Sequence, residues 1–99
     1  MKQVIDLLAE KKESLERSIR FLNEELYSCK KSLAELQSKE FIEENKDNTC
    51  WSETWTIHDY IRVNVESRER SIATYSRKLG EDSDYLSQIN RAIEILKGV

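Results

Sequence analysis

The 99-residue sequence contains no proline, two glycines and two cysteines. Without proline, nothing removes a backbone donor inside a helix, and two glycines supply few of the tight turns that a many-stranded sheet needs. Charged residues make up 35% of the chain and hydrophobic residues only 38%. This composition predicts long, solvent-exposed helices that form a single domain over residues 1–99.

Long runs of basic, acidic or apolar residues are also missing. The 16 basic and 19 acidic residues are interleaved, so the formal net charge of −3 comes without a concentrated basic face, and we expect no nucleic-acid partner. No apolar run has the length of a membrane span, and Asp6 interrupts the short apolar start, which excludes a signal peptide there. We expect no membrane association and a cytoplasmic location, with leaderless export left open.

Residues that carry catalysis or bind metals do not form a recognisable pattern. His58 is the only histidine, and together with Cys50 it lacks the paired ligand spacing of zinc sites. The sequence has no glycine-rich phosphate loop and no nucleophile elbow. We therefore expect no enzymatic activity, no metal and no cofactor.

A seven-residue repeat runs through each half of the chain. In the first half it places mostly apolar residues at heptad position d (Leu8, Leu15, Leu22, Cys29, Leu36) and at position a (Ile5, Lys12, Ile19, Leu26, Leu33). In the second half it does so in two further rows (Val65, Ile72, Leu79, Leu86, Ile93 and Ile61, Arg68, Tyr75, Asp82, Ile89, Leu96). The rows predict helix 1 over about residues 2–44 and helix 2 over about residues 57–97. Thr56 is the expected N-cap of helix 2, with Asp59 completing a capping box.

Two segments leave an alternative open. Residues 80–84 resemble a helix stop that begins at Gly80, but the heptad phase continues from Leu79 to Leu86, which favours a continuous helix or one kinked at 80–83. Residues 55–65 contain alternating β-branched side chains that suit a short strand, although the heptad phase there favours a helix.

The two halves match when the chain folds back at its middle. Residues whose numbers sum to 101, such as Leu15 with Leu86, are then both apolar through most layers. We therefore predict an all-α fold, an antiparallel, coiled-coil-like two-helix hairpin with its turn at about 45–56. Because such a hairpin separates Cys29 from Cys50, both should be free thiols, with Cys29 buried at its d position.

Apolar residues outside these rows predict a binding surface. A lone hairpin would expose them, so we expect it to complete a helical bundle by binding a second copy or a helical partner. Trp51 and Trp55 lie at the turn, where each ring either closes the core or anchors a partner. The candidate partner-binding residues are Tyr27, Phe41, Ile42, Trp51, Trp55, Ile57 and Tyr60.

In its length and its central tryptophan, the chain resembles the small Trp-x-Gly helical-hairpin proteins of type VII secretion and their partner chaperones. At Trp51-Ser52-Glu53 the family's glycine is a glutamate, and the C-terminal Tyr-x-x-x-Asp/Glu signal is not matched. The resemblance implies a secretion partner protein. We therefore expect a protein-protein interaction module of the adaptor type; the alternatives are a small accessory or phage-type inhibitor that docks on a host enzyme, and a structural coiled-coil spacer.

Overall fold

The heptad rows form two long helices, joined through a short third one. The computed structural model describes residues 2–98, and its helices are α1 (Lys2–Leu36), α2 (Lys39–Asn45) and α3 (Ile57–Lys97). No residue from 2 to 98 is in a strand. The all-α prediction is confirmed, and the strand alternative over residues 55–65 is wrong, because α3 begins at Ile57 and includes most of that segment.

A capping box begins α3, as the sequence predicted. The Asp59 N–H donates to the Thr56 hydroxyl at 3.2 Å, and the Thr56 N–H donates to the Asp59 carboxylate at 3.0 Å. These two bonds satisfy backbone donors that have no partner inside the helix. The predicted N-cap and helix start are therefore confirmed.

The prediction that helix 1 runs unbroken to residue 44 is wrong. Helix α1 ends at Leu36, and Ser38 adopts an extended backbone with φ −78° and ψ 150°. Its hydroxyl accepts a hydrogen bond from the Phe41 N–H at 3.2 Å and donates one to the Glu35 carbonyl at 2.7 Å. Because the serine side chain satisfies both helix ends at once, the backbone can stop α1 and start α2 within two residues.

Helix α3 continues through Gly80, as the heptad phase predicted. The segment from Leu79 to Leu86 is helical throughout, and the buried face of the helix carries Ile89 and Ile93 beyond it. Gly80 has open space around it, since a Cβ atom there would meet nothing within 4 Å. The packing of α3 against α1, along the seam between the two helices, therefore outweighs the weak helix propensity of one glycine.

The predicted single domain divides into two compact units, each built from parts of both halves of the chain. Unit 1 combines the chain up to Glu25 with the chain from Tyr75 onward, and unit 2 is Leu26–Thr74. Helices α1 and α3 pack against each other in both units. The outermost residues of the predicted domain, 1 and 99, lie outside the described part of the chain.

Unit 1 has an apolar core in the predicted register. Leu15, Ile89 and Ile93 form a buried cluster, and Leu8 and Leu86 pack against it. These are the residues that the antiparallel pairing places in adjacent layers. The heptad register is therefore confirmed within this unit.

A polar layer interrupts the seam of unit 1. Asp82 is only 5% exposed, and its carboxylate accepts hydrogen bonds from Ser18 at 2.7 Å and Lys78 at 2.9 Å. The Lys78 bond, followed by the Ser18 bond, holds the pKa of Asp82 below its ordinary value, although burial opposes this shift. The carboxylate is therefore satisfied in its charged form.

Unit 2 has an equivalent polar layer of the opposite charge. The Arg68 Nε–H donates a hydrogen bond of 3.0 Å to the Ser32 hydroxyl. Ser32 lies fourteen residues after Ser18, and Arg68 lies fourteen residues before Asp82. Arg68 and Asp82, the two polar residues in the heptad rows of α3, thus each bind a serine of α1. In both pairs the two residue numbers sum to 100.

No helix in the described chain is both long and apolar enough to cross a membrane.

Candidate protein-interaction site

The candidate residues at the predicted turn belong to unit 2, where α2 and the segment 46–56 connect the long helices. Helix α2 ends at Asn45, and the N–H of its C-cap residue, Lys46, donates to the Ile42 carbonyl at 2.8 Å. The Asn45 side chain donates back to the Phe41 carbonyl at 2.8 Å. Polar contacts at the end of α2 therefore fix where the connecting segment starts.

Three aromatic rings from three different elements pack together. Phe41 of α2 stacks on Tyr60 of α3, with ring centroids 6.1 Å apart and planes 8° apart. Trp51 of the connecting segment lies 5.4 Å from Tyr60, with the ring planes at 60°. Pairs at such distances add stability beyond the area they bury. The arrangement ties α2 and the connecting segment to the start of α3.

A hydrogen bond fixes the Trp51 ring. Its indole N–H donates to the Asn45 carbonyl at 2.6 Å, and the same carbonyl accepts the Asn48 N–H at 3.1 Å. Because the ring is half-buried, its polar N–H needs such a partner. Trp51 therefore closes the end of unit 2 and is a structural residue of the site.

Trp55 is placed differently. Its side chain is 41% exposed, yet its backbone is held by a tight turn. The Trp55 N–H donates to the Ser52 hydroxyl at 3.1 Å, and the Ser52 N–H donates to the Trp55 carbonyl at 2.8 Å. A fixed backbone thus presents a large apolar ring to solvent. We call Phe41, Trp51, Trp55 and Tyr60 the aromatic end.

A surface pocket of about 200 Å³ opens beside the three packed rings. Its wall combines apolar rings with side-chain amides and a thiol (Phe41, Asn45, Asn48, Cys50, Trp51, Tyr60). Cys50 is exposed and is a free thiol, as is Cys29. The pocket has the size of one side chain rather than of a large cofactor.

The remaining candidate residues do not join the packed rings. Ile57 is buried at the start of α3 and Ile42 is half-buried on α2. Tyr27 is strongly exposed on α1, and it takes part in neither aromatic pair found among residues 2–98. Cys29 is half-buried and not fully buried as predicted.

The capping box places one carboxylate, that of Asp59, at the start of α3. The pKa of Asp59 lies below its ordinary value, because its carboxylate accepts hydrogen bonds first from the Thr56 backbone and hydroxyl, and then from Arg62 at 3.4 Å. His58, next to it, is exposed. Within residues 2–98, no three side chains of His, Cys, Asp or Glu group to hold a metal ion. The site combines stacked rings, half-buried apolar side chains and hydrogen bonds that involve side-chain amides.

Sequence reasoning missed the polar residues that shape the site. Ser38 followed by Glu40 is the ordinary signal for a helix start, but the seven-residue spacing of Tyr27, Ala34 and Phe41 carried the predicted helix past it. Asn45 and Asn48 gave no signal, because their roles depend on where the Trp51 indole lies.

Comparison with known proteins finds no matching family model, no matching curated protein and no matching solved structure.

Proposed function

We propose that this chain is a non-catalytic protein-protein interaction module whose partner binds at the aromatic end of unit 2. The observation that supports it most is Trp55, an exposed indole on a backbone turn closed by two hydrogen bonds. Tryptophan is enriched among the residues that contribute most binding energy, because it buries a large area with few rotatable bonds. A pre-ordered turn also lowers the entropy that binding would otherwise cost.

The surroundings of Trp55 support the same role. The half-buried Trp51 and the stacked Phe41 and Tyr60 make a rigid base for the segment that carries Trp55. The adjacent pocket of about 200 Å³ is large enough for one partner side chain. A structural spacer would need neither feature, so the aromatic end favours the binding module over the spacer.

The module acts as an adaptor that completes a helical bundle with a second copy or with a helical partner. A secretion partner protein is one instance of such an adaptor, and an inhibitor that docks on an enzyme is the alternative. Both would use the exposed Trp55 as an anchor, so the same variants test the binding site for either.

The test compares Trp55→Ala with Val63→Ala. Val63 is 42% exposed on α3, so it matches Trp55 in exposure while lying outside the aromatic end. Tagged chains would be recovered from the cells that produce them, and co-purified proteins would be quantified by mass spectrometry.

We expect Trp55→Ala to lose a specific protein that both the wild type and Val63→Ala retain, with all three chains melting at similar temperatures. Equal retention of every protein by Trp55→Ala and by the wild type would refute the aromatic end as the binding site. Recovery of no specific protein by a wild-type chain that is also monomeric would contradict the proposed function itself.

A further inference from the structure

The net charge of the chain is concentrated beside the aromatic end. Helix α2 and the connecting segment, residues 39–56, contain five acidic and two basic residues, which leaves a net charge of −3. The rest of the chain contains fourteen residues of each sign and is neutral overall. This segment therefore accounts for the whole formal charge of the chain, and a protein that docks on it meets a negative surface.

A second pocket adjoins the aromatic one. Its volume is about 220 Å³, and Phe41 belongs to the walls of both pockets. The rest of its wall is formed by Glu35, Ser38, Glu40 and Glu44. We call it the acidic pocket. It sets three carboxylate side chains beside an aromatic ring that is already held by stacking on Tyr60.

The carboxylates of the acidic pocket have no cation from their own chain. Four ion pairs occur among residues 2–98, and none of them includes a glutamate of this pocket. Of the two basic residues in the segment, Lys46 pairs with Glu43 at 3.0 Å, and Lys39 lines neither pocket. The three carboxylates can therefore bind a cation from another molecule.

Helix stability does not explain the position of Glu44. It lies in the last turn of α2, which has no basic residue, and the helix dipole opposes a negative charge there. Glu40 suits the first turn of α2, but it is a like-charged neighbour of Glu44, four residues away on the same side of the helix. A carboxylate that lowers the stability of its own helix and forms no ion pair within the chain is suited to binding a partner.

We propose that the partner bound at the aromatic end is a different protein with a basic surface, and that one of its arginine side chains occupies the acidic pocket. This assignment rests on the proposed function and adds the chemistry of the partner to it. The guanidinium group packs against the Phe41 ring and donates hydrogen bonds to the carboxylates of Glu40 and Glu44.

Arginine fits the acidic pocket better than lysine does. Its planar guanidinium group carries five N–H donors, so it binds two carboxylates at once and stacks on an aromatic ring. Lysine presents a compact and strongly hydrated charge, which is less suited to a site with one aromatic wall. The volume of about 220 Å³ suits one long side chain.

A second copy of the chain fits this site poorly. Pairing of two aromatic ends about a two-fold axis would bring together two segments that each carry a charge of −3, and like charges held close together repel. The rest of the chain is neutral, with its basic and acidic residues interleaved, so it offers no concentrated basic surface to the pocket. Charge complementarity therefore favours a basic partner of another sequence.

Nuclear magnetic resonance titration of the isotope-labelled chain with short peptides tests the pocket. The probe is acetyl-Gly-Arg-Gly-amide, and the control peptide has citrulline, a neutral side chain of nearly the same shape, in place of arginine. We expect the arginine peptide to shift the backbone amide signals of Glu40, Phe41 and Glu44 saturably at millimolar concentrations. The citrulline peptide should bind about tenfold more weakly, because it lacks the charge that strengthens the hydrogen bonds.

Paired variants test which carboxylates hold the arginine. Glu40→Gln combined with Glu44→Gln should abolish the saturable shifts. Glu13→Gln combined with Glu16→Gln makes the same change in net charge at exposed residues of α1, and it should bind the arginine peptide as the wild type does. Circular dichroism should show the same helix content for both double variants, because all four side chains are exposed.

Three results of the titration would overturn the assignment. They are equal responses to the arginine and citrulline peptides, no saturable response to the arginine peptide, and an unchanged response in the double variant of Glu40 and Glu44. A lysine peptide that binds as tightly as the arginine peptide would overturn the choice of arginine.

Partner capture by tagged chains separates this assignment from the proposed function. We expect the double variant of Glu40 and Glu44 to lose the protein that the wild type retains, and high salt, which screens exposed charges, to release that protein. If the double variant retains it while Trp55→Ala loses it, the acidic pocket is not the binding site and the proposed function stands. Self-association of the wild type that Trp55→Ala abolishes would likewise overturn only the basic partner. A monomeric wild type that recovers no specific protein would contradict the proposed function, whatever the peptides do.

Discussion

Ser18 donates a hydrogen bond of 2.7 Å to the carboxylate of Asp82, across the seam between α1 and α3 in unit 1. A carboxylate in an apolar seam is costly unless its oxygens are satisfied, and here Ser18 and Lys78 satisfy one oxygen each. Asp82, which interrupts the heptad row, is therefore compatible with the fold because Ser18 on the opposite helix supplies a hydrogen-bond donor.

Removing the Ser18 hydroxyl should destabilise the protein. We expect Ser18→Ala to lower the free energy of unfolding by about 1–2 kcal/mol, because one oxygen of a charged, buried carboxylate loses its donor. Alanine is also the better helix former, which partly offsets this loss. The control Ser28→Ala, at an exposed position of the same helix, measures the gain in helix propensity alone. Chemical denaturation compares the unfolding free energies of Ser18→Ala and Ser28→Ala. Equal stability of both variants would mean that the hydrogen bond contributes nothing.

The capping box and the polar layer should make stability depend on pH on the acid side. The pKa values of Asp59 and Asp82 are lowered in the folded chain, from an ordinary value of 3.8. Their contribution is therefore fully present above that value, and it is lost as the pH falls through the lower, folded-state pKa values.

Asp82→Asn should flatten the acid side of the profile of unfolding free energy against pH, measured by urea denaturation from neutral to acidic pH. Glu13→Gln, an exposed carboxylate at the surface of the same unit, should leave the profile close to that of the wild type. If the unfolding free energy of Asp82→Asn falls with pH as steeply as that of the wild type, the Asp82 carboxylate has the same pKa in the folded and the unfolded chain.

Replacing Gly80 with alanine should stabilise the protein. Gly80 lies inside α3, and a Cβ atom there meets nothing within 4 Å, so the variant gains helix propensity without a clash. We expect an increase of about 1 kcal/mol in the free energy of unfolding and a higher melting temperature. Gly98→Ala, just beyond the end of α3, should have a smaller effect. A lower melting temperature for Gly80→Ala would indicate that α3 bends or opens at this residue.

The two tryptophans should differ in stability and in fluorescence. Trp51→Phe keeps a ring beside Tyr60 but loses the indole hydrogen bond to the Asn45 carbonyl, so we expect a loss of about 1 kcal/mol. Trp55→Phe should change stability by less than about 0.5 kcal/mol, because the ring is largely at the surface.

Each variant leaves one tryptophan as a fluorescent probe of its site. Trp51 alone should emit at shorter wavelength than Trp55 alone, and iodide should quench Trp55 more strongly. Identical spectra and quenching would contradict the different burial of the two rings.

The sequence by itself determined the helices and their register. The heptad rows predicted the all-α fold, the extent of α3 and the layers around Leu15, because the repeat records which side chains must face the partner helix. The cap at Thr56 and Asp59 was also readable, since both of its bonds join residues three apart.

Only the tertiary structure decided the serine partners of Arg68 and Asp82 and the different placements of Trp51 and Trp55. Each of these depends on atoms that distant or irregular segments bring together. The hydrogen bond between Ser18 and Asp82 joins residues 64 apart in sequence, and the Trp51 indole is fixed by a backbone carbonyl. Heptad spacing specifies which face of a helix is buried, whereas irregular backbone and long-range polar contacts follow no repeat.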